Sequence, residues 1–308
     1  MKKIFITGAT GFIGKNLLKR LLEQENRIYV LVFQDELERI PTDERIVPVV
    51  GNLNEVSSIE GQLDGIDIDI IFHLAWEGVS TTYKNDFELQ MKNIRYAMNV
   101  MEIARKHHCS RVVMTGSISE YAYRETIDDT VAPAPSDFYS ATKAAIHIYC
   151  DFYSRLYEEI SLNWAIISSI YGPGRTDNNI ITYTIRSLLN DQDTEYTKLE
   201  QQWDYVYIDD VVEALVLVAS KGKPGAMYQV GSGEVKPLSE YIKDIKTLIP
   251  TDAVLGIGKI PYKTKQIDNS VVDISKLVED TGYQPKVSFE EGIRRTISYF
   301  EEMEKSNV

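Results

Sequence analysis

Short apolar runs alternate with amphipathic stretches along most of the chain. Runs of β-branched and aromatic residues predict buried strands, and apolar residues spaced three and four apart predict helices. Strands are predicted at residues 4–6, 28–33, 46–50, 69–74, 111–115, 162–170, 204–208 and 226–230. Helices are predicted around residues 17–22 and at residues 89–106, 139–159, 211–219 and 238–248. This alternation indicates an α/β fold with a doubly wound parallel sheet, the Rossmann architecture.

The pattern changes beyond residue 175, where residues 176–202 are mixed and polar. No internal repeat, low-complexity run or free linker sets this stretch apart. We therefore predict a dinucleotide-binding Rossmann domain at residues 1–175, to which residues 204–233 return. A smaller, interleaved C-terminal lobe that binds the substrate is predicted at residues 176–203 and 234–308.

The first strand runs into a glycine-rich turn and then a helix, which is the order that a dinucleotide fingerprint requires. Gly8 allows the tight turn, Gly11 lets a pyrophosphate approach the backbone, and Gly14 lets the helix pack on the strand. The helix N-terminus then offers free N–H groups to the phosphates. The predicted contacts lie at Gly8, Thr10, Gly11, Phe12, Ile13 and Gly14. The alternative, an ordinary strand-to-helix turn, would not need this glycine spacing.

The end of the second strand bears on which dinucleotide binds. NAD sites usually place an acid there for the ribose hydroxyls. The spacing from the glycines points to Val32, Phe33 and Gln34, with Asp35 slightly late and Arg39 the nearest cation. The missing acid favours NADP, and NAD remains open.

Several polar residues follow other predicted strands, so they should line one edge of the sheet. Asn52 either pairs with the adenine edge or is a simple turn residue. His73 lies on an apolar strand and is interpreted as a core histidine. Ala75, Ser117 and Ser169 each follow a strand as Gly8 does.

Tyr139 and Lys143 stand four apart at the start of a helical run, so their side chains share one helix face. A nearby cation favours the phenolate, which predicts a lowered pKa for Tyr139 and a general acid/base near neutral pH. Taken alone, the pair is more often an ordinary surface contact. The glycine turn upstream is what favours the catalytic interpretation.

Composition and charge narrow the class of protein. The chain has 308 residues with a net charge of −13, which argues against nucleic acid or an anionic membrane as a partner. The two cysteines, Cys109 and Cys150, lack metal-ligand spacing and are predicted to be reduced thiols, with no metal site. No apolar segment is long enough for a membrane span, and we predict a cytoplasmic protein.

Taken jointly, the motifs resemble those of the extended short-chain dehydrogenase/reductase family, of the NAD-dependent epimerase/dehydratase type. The likeness covers nearly the whole chain. Its motifs are Thr7–Gly14, residues 73–75, Asn93, Ser117, the Tyr139/Lys143 pair, residues 171–174, residues 204–210 and residues 230–233.

The resemblance implies a role for each matching residue. Tyr139 would exchange the proton of the substrate oxygen, Ser117 would orient that oxygen, and Lys143 would lower the Tyr139 pKa and hold the nicotinamide ribose. Asn93 resembles a structural asparagine. By the same resemblance, the cofactor site includes Phe33, Asn52, Leu53, Leu74, Ala75, Trp76 and Tyr171, together with Tyr139 and Lys143.

Extended members mostly act on nucleotide sugars, so a nucleotide sugar is the implied small-molecule partner. Dehydratases carry an Asp-Glu pair where this chain has Ile118 and Ser119, and dual epimerase-reductases use a cysteine near that point. The remaining reactions are 4-keto reduction of a (6-deoxy)hexose and 4-epimerisation with bound NAD. The missing acid after the second strand favours the reductase, and residues 73–79 look most like the CDP-abequose and CDP-paratose synthases. A third alternative is an NADP-binding sensor without turnover.

Two positions depart from the family pattern. Trp203 stands where an arginine usually contacts the substrate phosphates, and Ser169 stands where an asparagine is usual. Arg175, Arg186 or Lys198 would have to supply the missing cation. The expected substrate contacts are Ser119, Ser169, Arg175 and Trp203. Family members often dimerise through the Asn93 and Tyr139 helices, so a homodimer is a further expectation.

Overall fold

The computed structural model describes residues 1–128, 130–262 and 271–306. Its strands are β1 (Lys2–Thr7), β2 (Asn26–Val32), β3 (Ile46–Val50), β4 (Ile70–His73), β5 (Arg111–Ser117), β6 (Ser161–Ile167), β7 (Ser169–Tyr171), β8 (Thr194–Tyr196), β9 (Gln202–Tyr207), β10 (Met227–Val230), β11 (Val235–Pro237) and β12 (Leu255–Ile257). Its α-helices are α1 (Phe12–Leu21), α2 (Val56–Gln62), α3 (Phe87–Lys106), α4 (Phe138–Leu156), α5 (Ile180–Leu189), α6 (Ile208–Lys221), α7 (Leu238–Leu248), α8 (Ser275–Thr281) and α9 (Phe289–Ser306). Short 3₁₀ helices span Gln34–Arg39 and Ile118–Tyr121.

Seven parallel strands form the main sheet in the order β10-β6-β5-β4-β1-β2-β3. The predicted doubly wound parallel sheet is confirmed. Strand order reverses next to β1, which pairs with β2 on one side and β4 on the other. Ligands in such sheets bind at the carboxyl ends of the strands, at this point of reversal.

Alternate residues of each strand point to opposite faces of the sheet, so apolar side chains lie on both faces. Helices cover each face. On β1, Ile4 and Ile6 join a core with Leu17 of α1 and Leu215 of α6. Phe5, between them, joins a second core that includes side chains of α3 and α4. The two layers fix the ends of α1 and α4 relative to the sheet edge.

The predicted strand at residues 162–170 is wrong in one respect, because it is two strands that separate at Ser168. The Ser168 N–H still bonds the Val230 carbonyl at 2.9 Å, beside the main sheet. Its hydroxyl donates instead to the Asp204 carbonyl at 2.8 Å, and β7 then pairs with β9. The three-stranded sheet β11-β9-β7 stands apart from the main sheet. The pattern of apolar residues on either side of Ser168 does not reveal such a change of partner.

The strand predicted at residues 204–208 likewise pairs with β7 and β11, whereas β10 joins the main sheet. Its buried Asp204 accepts the Ser232 and Gly233 N–H groups at 3.0–3.1 Å, which ties the turn after β10 to β9. The division into a Rossmann domain and a substrate lobe stays a prediction, and residues 263–270, 307 and 308 of that lobe lie outside the described residues. Within the described ranges, no helix is long and apolar enough to cross a membrane.

Candidate active site

The glycine-rich turn between β1 and α1 has the shape that a dinucleotide phosphate needs. Gly8 has a φ of +77°, which favours glycine, and a Cβ there would lie 2.5 Å from the Ala75 nitrogen. A Cβ on Gly14 would lie 2.1 Å from the Gly8 carbonyl oxygen, so the helix packs directly on the turn. A Cβ on Gly11 would lie 3.3 Å from the Gly8 carbonyl oxygen, a tight contact but far less severe than the one at Gly14.

The N-terminus of α1 is free to receive an anion. No side chain caps it, and its first turn carries no acidic residue. Free N–H groups and the positive end of the helix dipole favour a phosphate at this point. The residues present therefore fit a dinucleotide. Phe12 and Ile13 would offer their backbone N–H groups to it, whereas the Gly11 N–H already donates to the Gly8 carbonyl at 3.1 Å.

A small polar cluster covers the turn from the end of β2. The Thr10 hydroxyl donates to Glu36 at 3.1 Å, and Arg39 contacts both Glu36 and the Thr10 carbonyl, the latter at 3.2 Å. Phe33 is about half exposed beside them. Val32 is the last residue of β2, so Glu36 belongs to the following 3₁₀ helix. Its carboxylate is already paired with Arg39. Sequence spacing did not identify Glu36.

The loops after β3 and β4 border the same edge. Asn52 accepts the Asn54 N–H at 2.9 Å, as a turn residue does, while the Leu53 side chain is buried in the core. Leu74 and Ala75 run beside the glycine turn, where the Leu74 N–H bonds the Thr7 carbonyl at 3.1 Å. Of these four residues, only Leu74 and Ala75 lie against Gly8.

Trp76 forms a wall of the site because α3 holds its loop. Asn93 is buried, and its amide accepts from the Glu77 N–H at 2.9 Å and donates to the Glu77 carbonyl at 3.0 Å. The Trp76 indole N–H donates to Gln90 at 3.1 Å. The Trp76 ring then meets the Tyr139 ring edge to face, with centroids 5.3 Å apart. The structural role that the resemblance implied for Asn93 has a physical basis here.

Ser117, Tyr139 and Lys143 come together where β5 ends and α4 begins. Asp137 caps α4 by accepting the Ser140 N–H at 2.8 Å, which fixes Tyr139 in the first turn. The Ser117 side chain lies beside the phenol, where it opposes the burial that raises the pKa of Tyr139. Lys143 lies one turn further on, buried, and its ammonium donates to the Thr115 carbonyl at 2.6 Å.

The prediction that Lys143 lowers the Tyr139 pKa is wrong for this structure. Burial, followed by the charge of Glu120, raises the pKa of Tyr139 above its ordinary value. The Lys143 ammonium lies 5.9 Å from the Tyr139 ring centre and only 3.9 Å from that of Trp76. Burial also lowers the pKa of Lys143, so its influence on the phenol is weakened. Tyr139 is therefore a protonated phenol at neutral pH.

Glu120 is a neighbour of this site that the sequence interpretation missed. Its carboxyl is fully buried, and its Oε1 accepts the Ser117 N–H at 2.6 Å. The residues Ser117 to Glu120 read Ser-x-x-Glu, the pattern of a capping box, and that signal would have placed the carboxylate against Ser117.

His73, interpreted as a core histidine, is buried on β4 beside the site. It shares a hydrogen bond of 2.7 Å with the Thr7 hydroxyl. Burial, assisted by the charge of Lys143, lowers the His73 pKa to about 3, so the ring is neutral at physiological pH.

The two departures from the family pattern contact each other. The Trp203 indole N–H donates to the Ser169 hydroxyl at 2.9 Å, because β7 and β9 are neighbours. Ser119, the remaining hydroxyl expected to meet substrate, lies 2.8 Å from the Ser117 hydroxyl. The Trp203–Ser169 pair therefore presents a neutral surface where an arginine is usual.

Among the three candidate cations, Arg175 is the one near the site. Its charge opposes the burial that raises the pKa values of Tyr139 and Tyr205. It is also held by Asp177 at 2.7 Å. Arg186 instead lies over the Phe300 ring, and Lys198 is exposed beside Glu200.

The side chain of Tyr171, a predicted cofactor-binding residue, lies in the core. Its side chain is buried, and its ring packs against Tyr207 and Phe289 with centroids 5.6 and 5.1 Å away. The hydroxyl points to the Phe289 carbonyl at 3.4 Å. The aromatic core draws this side chain inward, so only the Tyr171 backbone is available for the cofactor role expected of it.

Fold and site together are those of an enzyme of the short-chain dehydrogenase/reductase type. A model of the NAD dependent epimerase/dehydratase family matches residues 4–231, and the chain belongs to that family. The resemblance drawn from the sequence motifs is confirmed.

Several relatives match nearly the whole chain. A UDP-N-acetyl-alpha-D-glucosaminuronate decarboxylase from Bacillus cytotoxicus is 27% identical, over 98% of this chain and 99% of its own. A Thermotoga maritima UDP-glucose 4-epimerase solved with UDP-glucose is 23% identical, with a TM-score of 0.85 over 98% of this chain and 99% of its own. A Bacillus anthracis dTDP-glucose 4,6-dehydratase solved with NAD is 19% identical, with a TM-score of 0.85 over 99% of this chain and 98% of its own. These two structures confirm the fold.

Proposed function

We propose that the protein reduces the 4-keto group of a nucleotide-linked (6-deoxy)hexose, with NADPH or NADH as the reductant. The observation that carries this proposal is the placement of Tyr139 in the first turn of α4, beside Ser117. Burial and Glu120 keep its phenol protonated, and a reductase starts from a protonated donor. The positions at which dehydratases carry two acids are Ile118 and Ser119, which cannot take a proton from the sugar ring.

Tyr139, Ser117 and Lys143 have different roles in this reduction. A nicotinamide cofactor, when bound, supplies the hydride to the carbonyl carbon. Tyr139 gives its phenolic proton to the carbonyl oxygen, and Ser117 hydrogen-bonds the same oxygen and orients it. Lys143 places positive charge one helical turn from Tyr139. Solvent returns the proton to Tyr139 at the end of the cycle.

A nucleotide sugar is the proposed substrate because relatives along the whole chain are named for such substrates. Arg175 would pair with its phosphates after exchanging Asp177 for them. Trp203 offers an aromatic face to a base or sugar, and Ser119 and Ser169 offer hydroxyls.

The alternative is a 4-epimerase with bound NAD. The similar UDP-glucose 4-epimerase fold favours it, and it uses the same three side chains in both directions. A binding protein without turnover is a weaker alternative, because Ser117, Tyr139 and Lys143 are all present and brought together.

We propose NADP as the preferred cofactor, with Arg39 as the cation for its 2′-phosphate. Replacing Arg39 by Ala should weaken NADPH binding about tenfold, equivalent to roughly 1.4 kcal/mol, and leave NADH binding nearly unchanged. Titration of the cofactor-free protein by fluorescence measures both. Arg27→Ala, at the opposite end of β2, is the matched control. An equal loss for both cofactors would rule out the phosphate contact.

The function is tested by incubating the purified protein with NADPH and a panel of 4-keto-6-deoxy nucleotide sugars. A reductase oxidises one NADPH for each sugar consumed. If NAD instead co-purifies and stays bound while two 4-epimers interconvert without net oxidation, the epimerase alternative replaces the proposal.

A second copy of the chain is the proposed protein partner. Large apolar side chains are exposed on α3 and α4, led by Ile148, Phe152 and Leu156 at 61–62%. Contiguous apolar patches of this kind mark interaction sites. Light scattering of the purified protein gives twice the chain mass if this face is covered by a copy of itself.

A further inference from the structure

The loop between β4 and α3 brings a second lysine to Tyr139. The Lys84 ammonium lies over the Tyr139 ring, 5.1 Å from its centre, whereas the Lys143 ammonium lies 5.9 Å from the same point. Lys84 is half-buried there. A cation over an aromatic ring is attracted by the ring electrons, which holds the ammonium at the phenol. Neither the sequence motifs nor the proposed reaction gives this lysine a role.

Hydrogen bonds fix the backbone of this loop at the N-terminus of α4. The Lys84 carbonyl accepts the Tyr139 N–H at 2.9 Å, and the Asn85 side chain accepts the N–H of the residue before Tyr139 at 3.2 Å. The Tyr83 carbonyl accepts from the amide of Gln90, a buried residue of α3, at 3.1 Å. The first N–H groups of α4 are thereby used, so an anion beside Tyr139 would have to be bound by a side chain.

Lys84 differs from Lys143 and Arg175, the other two cations proposed for this site, in having no acceptor. Lys143 donates to the Thr115 carbonyl at 2.6 Å, and Arg175 is paired with Asp177 at 2.7 Å. Among the residues that the structure describes, no carboxylate pairs with the Lys84 ammonium, and no other acceptor lies within hydrogen-bond distance of it. A half-buried ammonium has lost part of its water, and a bound anion would restore that interaction.

The acids nearest along the chain already cap helices. The Asp86 carboxylate accepts the Leu89 N–H of α3 at 3.1 Å, and the Asp137 carboxylate accepts the Ser140 N–H of α4 at 2.8 Å. Both carboxylates thus stabilise helix N-termini. An anion from a ligand can therefore reach the Lys84 ammonium without displacing either cap.

We propose that Lys84 binds an anionic oxygen of the substrate beside the reacting C–O unit. The sugar has to bring its carbonyl oxygen to the Tyr139 hydroxyl, and the ammonium that lies over the same phenol borders the space the sugar would occupy. A nucleotide sugar carries such an oxygen either on an acidic substituent of the sugar or on its diphosphate. The inference deepens the proposed function and rests on it, because it concerns the substrate of the same site.

The competing explanation is a solvated lysine that contacts the phenol ring and binds no ligand. In that case the Lys84 ammonium should not sense a nucleotide sugar in the site. Removing the ammonium should then leave the affinity for the nucleotide sugar unaltered. The two explanations therefore differ in a binding experiment that needs no turnover.

The first test follows the Lys84 ammonium in protein saturated with reduced nicotinamide cofactor and labelled with ¹³C at the ends of its lysine side chains. A Lys84→Arg spectrum assigns the signal. The ligands are UDP, dTDP, CDP and GDP, each alone and as its glucose and glucuronate conjugates, and calorimetry reports which of them bind. None of these compounds has a keto group to be reduced.

The ligands also distinguish the two sources of the anion. A Lys84 signal that moves with the glucuronate conjugate and not with the glucose conjugate assigns the anion to the sugar. A signal that moves with both conjugates and with the nucleoside diphosphate assigns it to the diphosphate. A stationary signal in a sample that calorimetry shows to be saturated would overturn the inference and leave the proposed function standing. If none of these compounds binds, the proposed function is rejected, and the inference with it.

Lys84→Met provides an independent measurement, because it removes the ammonium and keeps the backbone hydrogen bonds of the loop. We expect the affinity for the conjugate that moves the Lys84 signal to fall about tenfold, and Lys84→Arg to retain most of it. Lys92→Met, at an exposed lysine of α3, is the matched control and should bind as the wild type does. Equal affinities in Lys84→Met and Lys92→Met would overturn the inference.

Discussion

Replacing Tyr139 by Phe lowers kcat by about a thousandfold or more, because the variant loses the only proposed proton donor. The variant keeps the aromatic ring. The ring still packs on Trp76, so the walls of the site remain. Cofactor affinity should therefore change less than threefold, equivalent to about 0.6 kcal/mol. Steady-state kinetics and a fluorescence titration of the cofactor separate the two effects.

Tyr149→Phe is the matched control, since Tyr149 lies on the same helix and is 55% exposed. It should keep the wild-type rate. Full turnover in Tyr139→Phe would remove both the reductase and the epimerase proposals, because both move a proton through this phenol.

The second large effect concerns two glycines three residues apart. Gly14→Ala places a methyl group 2.1 Å from a backbone oxygen, where neither side can yield cheaply. We expect it to lower the free energy of unfolding by about 3 kcal/mol, at the upper end of what overpacking costs. Urea unfolding monitored by circular dichroism measures this loss.

Gly11→Ala should affect cofactor affinity more than the stability of the fold. Its methyl group would lie 3.3 Å from the Gly8 carbonyl oxygen, a tight contact that a small shift relieves, and the backbone there is extended, so the free energy of unfolding should fall by only about 1 kcal/mol. That methyl group would fill the space on the approach to α1, and cofactor affinity should fall about tenfold or more. If Gly11→Ala binds cofactor normally, the phosphates do not lie against this turn.

The sequence predicted the main sheet and the placement of Tyr139 and Lys143 on one helix face, because both depend on local pattern. A buried strand followed by Gly8, Gly11 and Gly14 has few other structural explanations. Likewise, helix geometry alone puts Tyr139 and Lys143 on one face. Such features require no knowledge of which distant segments meet.

What the sequence could not predict depends on partners far apart in the chain. The separation at Ser168 follows from the pairing of β7 with β9, and that pairing also joins Ser169 to Trp203. The direction of the Tyr139 pKa depends on burial and on Glu120, neither of which the spacing to Lys143 contains. The Tyr171 side chain is buried because its ring packs against those of Tyr207 and Phe289, which are distant in the sequence.

The central claim is that this site passes hydride and proton to one C–O unit of a nucleotide sugar. The most direct test supplies NADPH deuterated at the transferable position of nicotinamide C4, together with a 4-keto nucleotide sugar, and examines the product by mass spectrometry and NMR. We expect one deuterium at sugar C4 for each NADPH consumed, and about a thousandfold less labelled product in the same time with Tyr139→Phe. Product that carries no deuterium, formed while NADPH stays intact, would contradict it.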